Sequence, residues 1–298
     1  MNPSEKPLVI EAAITPLRRG APIKEVAENI HEGKECLAAG AGIVHHHHDF
    51  RKDREGAIQE MIDIEAAILE AYPHALLYGD YIRGTAIWEK NAHLQPMQDA
   101  GVLRMLALDP GLTLFGRMDE NGLPSDSVTG GATFAEAHSV VEFARKHDKP
   151  VSVGVYEPGN LRWIRAYAQA GMFPKGSIIK LYFAGPYSMG FDKVRAVNFG
   201  LDPTPASLDV YLSMIEGVDM PFIVSCQGGV LLETPLARYA LERGGHLRVG
   251  IEDTGGATEM TNRETVEAAI ALAAEVGRPV ASGAAAVAVL KGDTLVTA

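Results

Sequence analysis

Short apolar runs alternate along the chain with longer stretches whose apolar residues recur every three to four positions. The short runs are LVIEAAI (8–14), GIVHHH (42–47), ALLYGD (75–80), LRMLALD (103–109), PVSVGVYE (150–157), SIIKLYF (177–183), PFIVSC (221–226) and HLRVGIE (246–252). Most are rich in Val, Ile and Leu without strict polar alternation, as in strands of a parallel sheet covered on both faces. Between them, residues 22–39 set Ile23, Val26, Ala27, Ile30 and Leu37 at helical spacing, and residues 55–71 do so with Ile58, Ile62, Ile64, Ala67 and Ile68. Residues 133–147, 159–171, 206–216, 233–243 and 263–276 read as further helices, the last opening with Thr261 and Glu264 at capping-box spacing. Residues 81–102 give only a short helix near 95–100. This alternation predicts a (β/α)8 TIM barrel, one catalytic domain over residues 1–298, with an open doubly wound sheet as the alternative. Both architectures put working residues at the carboxyl ends of the strands.

Composition narrows the class. The chain has 298 residues, 47% hydrophobic and 22% charged, ordinary for a globular protein. No apolar run reaches the ~18 residues that span a bilayer, so no membrane partner is expected. The start of the chain lacks a basic segment followed by a cleavable apolar one, which argues against a signal peptide. Two cysteines, Cys36 and Cys226, exclude a disulfide framework and fit a reducing, cytoplasmic setting. A net charge of −11 speaks against a general nucleic-acid binder. It leaves room for an anionic small ligand met by a few local arginines.

The chemistry gathers at two strand ends. VHHHHDF (44–50) puts four histidines at the end of the second predicted strand. Side chains alternate along a strand, so His45 and His47 share one face while His46 and His48 share the other. Either pair can reach one divalent ion. Zinc suits such a site, with bonds of ~2.0–2.1 Å to imidazole nitrogen and commonly three protein ligands at a catalytic centre. The pattern does not say which pair faces the barrel axis, and a polar strand end is the plainer account. HLRVGIEDTGG closes the eighth strand with two adjacent carboxylates. Glu252 can supply a third ligand and Asp253 a base, although such a pair is also common in a turn or helix cap. Arg248 falls on the Glu252 side and points inward.

GAGIVHHHHD and GGHLRVGIEDT, with the length and order of the predicted barrel, resemble the β-keto acid cleavage enzyme family, known for cleavage of 3-keto-5-aminohexanoate. The HxH and R-V-G-x-E-D segments stand about 200 residues apart, and the likeness runs through nearly the whole chain. The resemblance implies a zinc ion held by His45, His47 and Glu252, with Arg248 and Asp253 as catalytic residues. It implies condensation of a β-keto acid with acetyl-CoA to give acetoacetate and a new acyl-CoA, in a homotetramer. The expected first step is removal of a proton from the acetyl methyl of acetyl-CoA by Asp253.

The chain departs from the family pattern at several points. TPLRRGAP replaces a polar, often glutamate-containing loop, and Glu11 lies inside the strand rather than in that loop. Asp80 in YGDYIRG stands where the family often has a serine and is a further catalytic candidate. Asp49 stands where an arginine is common. Gly154 in VGVYEPG takes the place of a glutamate that reads a substrate amine in some members. With that carboxylate absent and Arg18 and Arg19 nearby, a neutral or anionic keto acid is expected, and the glycine leaves room for a bulkier tail. The long segment 183–203 reads as a lid or subunit contact whose Lys193 and Arg195 can meet CoA phosphates. SCQGGV (225–230) can offer backbone N–H groups to an anion or simply turn the chain. The rival readings are a metal-dependent hydrolase on the same fold, which would place further histidines on the fifth and sixth strands, and a metal-binding protein without turnover.

Overall fold

The computed structural model describes residues 6–17 and 20–293. Arg18 and Arg19 lie outside the described residues. In chain order the strands are β1 (Leu8–Ala13), β2 (Ile43–His46), β3 (Leu76–Gly79), β4 (Leu106–Leu108), β5 (Gly111–Met118), β6 (Pro124–Ala132), β7 (Val151–Val155), β8 (Ile178–Ala184), β9 (Ala196–Val197), β10 (Phe222–Gln227), β11 (His246–Val249) and β12 (Val280–Ala281). The helices are α1 (Val26–Ala39), α2 (Arg54–Ala71), α3 (Ile87–Lys90), α4 (Leu94–Asp99), α5 (Phe134–Lys146), α6 (Leu161–Gln169), α7 (Pro205–Met214), α8 (Pro235–Glu242), α9 (Asn262–Val276) and α10 (Gly283–Lys291).

Eight strands form a nearly closed parallel barrel in the order β3-β2-β1-β11-β10-β8-β7-β4. The remaining seam is bridged where the Met105 N–H donates to the Leu77 carbonyl at 3.1 Å. Each of the eight predicted apolar runs supplies one barrel strand. Alternation divides their side chains between two cores. Ile10, Val44, Leu77, Leu181, Val224 and Leu247 pack outward against the helices. Val9, Ile43, Met105, Ile178 and Ile223 pack inward with Ala286 and Leu290 of α10, closing one end of the barrel. The helix starts follow their sequence signals. Thr261 and Glu264 form the expected capping box at α9, and Thr133 with Glu136 forms another at α5. None of the helices described is long and apolar enough to cross a membrane.

Several elements were not in the hydrophobic pattern: α3, β12, α10 and a small antiparallel sheet. Residues 111–132 form the hairpin β5–β6, and β9 joins it at Gly116 and Arg117 as a small antiparallel sheet. Its turn is set by Asp119, whose carboxylate accepts from the Asn121 and Leu123 N–H groups. The hairpin is covered on one side only, so Leu112, Leu114 and Val128 stay exposed and β6 reads as a polar, glycine-containing loop. Because β9 lies within 183–203, this sheet also ties down the segment expected to be a lid or a subunit contact.

The eighth barrel strand is shorter than expected. β11 ends at Val249, and Glu252–Thr254 form a single 3-10 turn. The reason is Gly250, whose φ of 126° lies outside the range of L side chains. A Cβ there would stand 2.3 Å from the Ala13 carbonyl oxygen of the neighbouring strand end. The glycine thus lets the chain cross β1 closely and turn both carboxylates over the barrel mouth. Gly250→Ala is expected to cost at least ~2 kcal/mol through backbone strain and overpacking. Denaturant unfolding of the two proteins measures it, and an unchanged midpoint would contradict the close crossing.

Candidate active site at the carboxyl end of the barrel

The register of the parallel strands decides which side chains meet. Glu11 of β1 is level with Arg248 of β11, Ala13 with His45 of β2, and His45 with Tyr78 of β3. Across the barrel, Gly154 of β7 is level with Lys180 of β8. All the polar members of this set point into the barrel above the apolar plug.

The structure settles the histidine alternation. His45 and His47 turn toward the axis, and their Nε2 atoms lie 3.2 Å apart. Glu252 reaches both, with Oε2 at 3.4 Å from His45 Nε2 and Oε1 at 3.0 Å from His47 Nε2. Three ligand atoms around a tetrahedral ion with ~2.0–2.1 Å bonds would stand about 3.3 Å from one another, so the donor set and its spacing fit a divalent cation. Among the described residues these three are the group of His, Cys and acidic side chains able to hold one. His46 instead faces α2, where its Nε2 lies 3.2 Å from the buried Glu65 carboxylate. Asp80 lies 3.3 Å from His47 Nδ1, behind the ring. No hydrogen bond joins the two, so Asp80 acts on the ring through its charge.

Arg248 is the centre of the rest. Its side chain is 1% exposed. Nε donates to Asp253 Oδ2 at 2.6 Å, and one terminal nitrogen donates to Asp253 Oδ1 at 2.9 Å and to Glu252 Oε1 at 3.0 Å. The other donates to Glu11 Oε1 at 2.6 Å. The planar guanidinium therefore orders three carboxylates at once, a task for which a lysine lacks the geometry. Ser225 of β10 donates to Asp253 Oδ2 at 2.5 Å and completes its cradle.

Below this layer, Lys180 Nζ donates to the Tyr78 hydroxyl at 2.7 Å and lies 3.7 Å from Glu11. The Tyr78 hydroxyl donates in turn to Glu11. Burial raises the pKa of Glu11, but Lys180 and Arg248 outweigh it and hold the carboxyl down at about 2. Burial pushes Lys180 below the ordinary lysine value. Burial also opposes the charge on Glu252, yet His45, His47 and Arg248 hold that carboxyl well below its usual range. For His47, burial lowers the pKa, but Glu252 and Asp80 lift it to about 8.

Glu11, Asp80, Asp109, Glu252 and Asp253 face two buried bases, Lys180 and Arg248. With neutral imidazoles the mouth is net negative, a second feature that suits a bound dication. Lys193 and Arg195 are exposed in the segment after β8. Lys193 is anchored near the mouth by its N–H, which donates to the Gly255 carbonyl at 3.1 Å. The glycines of SCQGGV turn the chain, and the Gly228 N–H is already used by the Asp253 carbonyl. Cys226 is buried, which pushes its thiol up to about 12.

Sequence reasoning missed Tyr78, Lys180, Ser225 and Asp109, and left Glu11 without a role. The signal was a polar residue inside an apolar strand run, as in SIIKLYF and LVIEAAI.

A family model described as beta-keto acid cleavage enzyme matches residues 7–291. A curated relative, 3-keto-5-aminohexanoate cleavage enzyme of Acetoanaerobium sticklandii, is 39% identical over 98 residues, which span 32% of this chain and 35% of the relative. Among solved structures, a ternary complex of ObcA with a C4-CoA adduct and oxalate matches with a TM-score of 0.62 at 14% identity, over 90% of this chain and 66% of that one. The apo structure of ObcA gives the same TM-score and identity, over 64% of its length. At such identity these two structures bear on the fold alone.

Arg248→Met is expected to destabilise the protein by about 3–5 kcal/mol, because it strands Glu11 and Asp253 as buried charges. Urea unfolding measures this; a loss inside ~0.5 kcal/mol, the range of ordinary surface changes, would show that the carboxylates find other partners. Acid provides a second check. Glu11 titrates near 2 in the folded protein against an ordinary 4.5, so its contribution is complete above pH 4.5 and lost as pH falls toward 2. Lys180→Met should raise the folded value and shrink that contribution, moving acid unfolding to higher pH.

Proposed function

The chain belongs to the beta-keto acid cleavage enzyme family, and from that premise we propose that it condenses a β-keto acid with acetyl-CoA to give acetoacetate and a new acyl-CoA. The observation that carries this reading is the convergence of His45, His47 and Glu252 beside an Asp253 carboxylate fixed on both oxygens by Arg248.

His45, His47 and Glu252 would hold a divalent ion, zinc by the chemistry of two imidazoles and a carboxylate. Such an ion supplies Lewis acidity toward the oxygens of the keto acid. Asp253 is the general base. Carbon bookkeeping corrects the proton it takes. Acetoacetate must combine the CH2–COO− of the keto acid with the acetyl group of acetyl-CoA. The new bond therefore joins C2 of the keto acid to the thioester carbonyl carbon, and the proton comes from C2, not from the acetyl methyl. The thiolate of CoA leaves on that attack. It then adds to the original keto carbon, the C2–C3 bond breaks, and acetoacetate recovers a proton from Asp253 as the acyl-CoA forms.

Arg248 holds Asp253 in one orientation through this cycle, and Ser225 keeps one carboxylate oxygen occupied. Asp80 acts through His47 and is a positioning residue rather than the base. Lys193 and Arg195, exposed beside the mouth, are the cations offered to CoA phosphates. The hydrolase alternative called for histidines on the fifth and sixth barrel strands, and β7 and β8 carry Gly154 and Lys180 there instead.

Protein purified without added metal is expected to contain near-stoichiometric zinc, and His45→Ala/His47→Ala to lose it. Full occupancy in that double variant would remove the ligand assignment. Asp253→Asn is expected to cut acetoacetate formation by ~10²–10⁴-fold while metal content holds. Wild-type turnover in that variant, or no acetoacetate from acetyl-CoA and any β-keto acid in a broad panel, would defeat the proposal.

A further inference from the structure

Gly154 does not leave the open space that its lack of a side chain suggests. β4 pairs with β7, with Leu108 level with Val153, so Asp109 follows at the strand end next to Gly154. A Cβ on Gly154 would stand 2.0 Å from Asp109 Oδ1 and 3.4 Å from Tyr182 Cε2. The Asp109 carboxylate therefore lies directly over the glycine, in the volume a side chain there would need. Its backbone is locked on both sides. The Asp109 N–H donates to the Tyr81 hydroxyl at 2.9 Å, and its carbonyl accepts from the Ala132 N–H at 2.9 Å.

The surroundings make this carboxylate unlike the others in the mouth. Glu11, Glu252 and Asp253 share Arg248, and Asp80 stands against His47. No salt bridge among the described residues engages Asp109, although it is only half-buried and reaches the open end of the barrel. Burial pushes its carboxyl up to about 6, opposed by Lys180 and Arg248 and aided by Asp80, with the Tyr81 hydroxyl also facing it. Tyr182 and Tyr156 stack beside it with ring centroids 4.4 Å apart and planes within 7°. On its far side Tyr182 carries the Arg248 guanidinium, 5.6 Å from its ring centre.

A keto acid gripped at the triad, on β2 and the end of β11, would extend its tail across the barrel axis toward β4 and β7. There it meets a fixed carboxylate that no salt bridge among the described residues engages, and a flat aromatic wall. We propose that Asp109, standing over Gly154, reads the tail of the β-keto acid and selects one that ends in a hydrogen-bond donor, an ammonium or a hydroxyl. This rests on the proposed keto-acid function. It reverses the neutral or anionic preference that the bare glycine suggested. A tail carboxylate meets like charge, and a methyl tail leaves Asp109 desolvated with nothing in return.

The test separates binding from turnover. β-Keto acids of matched length ending in ammonium, hydroxyl, methyl or carboxylate are titrated calorimetrically into metal-loaded protein without acetyl-CoA, then assayed with it. The ammonium tail is expected to bind about 10- to 100-fold more tightly than the methyl tail, the range of a hydrogen bond to a charged group. Asp109→Asn should shrink that ratio to about twofold. Gly154→Ala, whose methyl takes the carboxylate's place, should shrink it independently. Equal binding of all four tails by the wild type, or an undiminished ratio in a variant that binds, overturns the proposal. The expected binding ratios without acetyl-CoA-dependent acetoacetate would uphold Asp109 and defeat the reaction. Acetoacetate formation with no tail preference would do the reverse.

Discussion

The buried guanidinium of Arg248 is the constraint around which the barrel mouth is arranged. A cation with 1% exposure is tolerated only where several acceptors surround it. Here they are Glu11 from the first strand, and Glu252 and Asp253 from the turn after the strand that carries the arginine itself. The tie to Glu11 reaches 237 residues back along the chain, so the charge balance also joins the two ends of the barrel sequence, while the ties to Glu252 and Asp253 are local. Removing Arg248 would leave carboxylates buried together, and removing Glu11 would leave the guanidinium short of a partner that Lys180 and Tyr78 also help to hold.

The same guanidinium divides labour between two adjacent acids. Glu252 is drawn toward His45 and His47, where the spacing fits a metal ion. Asp253 is held on both oxygens by Arg248 and Ser225 and is the more buried of the two. Their separation depends on the 3-10 turn, and the turn depends on Gly250 passing close to Ala13. An extended strand would have sent the two side chains to opposite faces. The glycine is therefore part of the site, although it touches no ligand.

The opposite flank follows another logic. There a glycine and an aspartate from adjacent strands share the volume of one side chain. Asp109 occupies what Gly154 vacates, and the stacked tyrosines hold the wall beside it. A substitution read from one strand alone looks like the loss of a carboxylate. Seen across the barrel, the carboxylate is supplied from the next strand.

The sequence by itself determined an α/β fold built on eight buried parallel strands. Eight apolar runs without alternation, spaced by helical periodicity, can be buried on both faces in few other ways, and each became a strand of the barrel. It also marked the two strand ends that form the candidate site, because histidines and paired acids behind apolar runs stand out locally. It did not reveal the β5–β6 hairpin, whose strands are half-exposed and polar and so carry no burial signal. It left open which histidines face inward, since strand direction relative to the axis is set by what packs outside, here α2 with Glu65 against His46. It gave Glu11 and Lys180 no partners and Asp109 no role. Those depend on register between strands up to 237 residues apart in the chain, and register is fixed by the closure of the barrel, not by any local pattern.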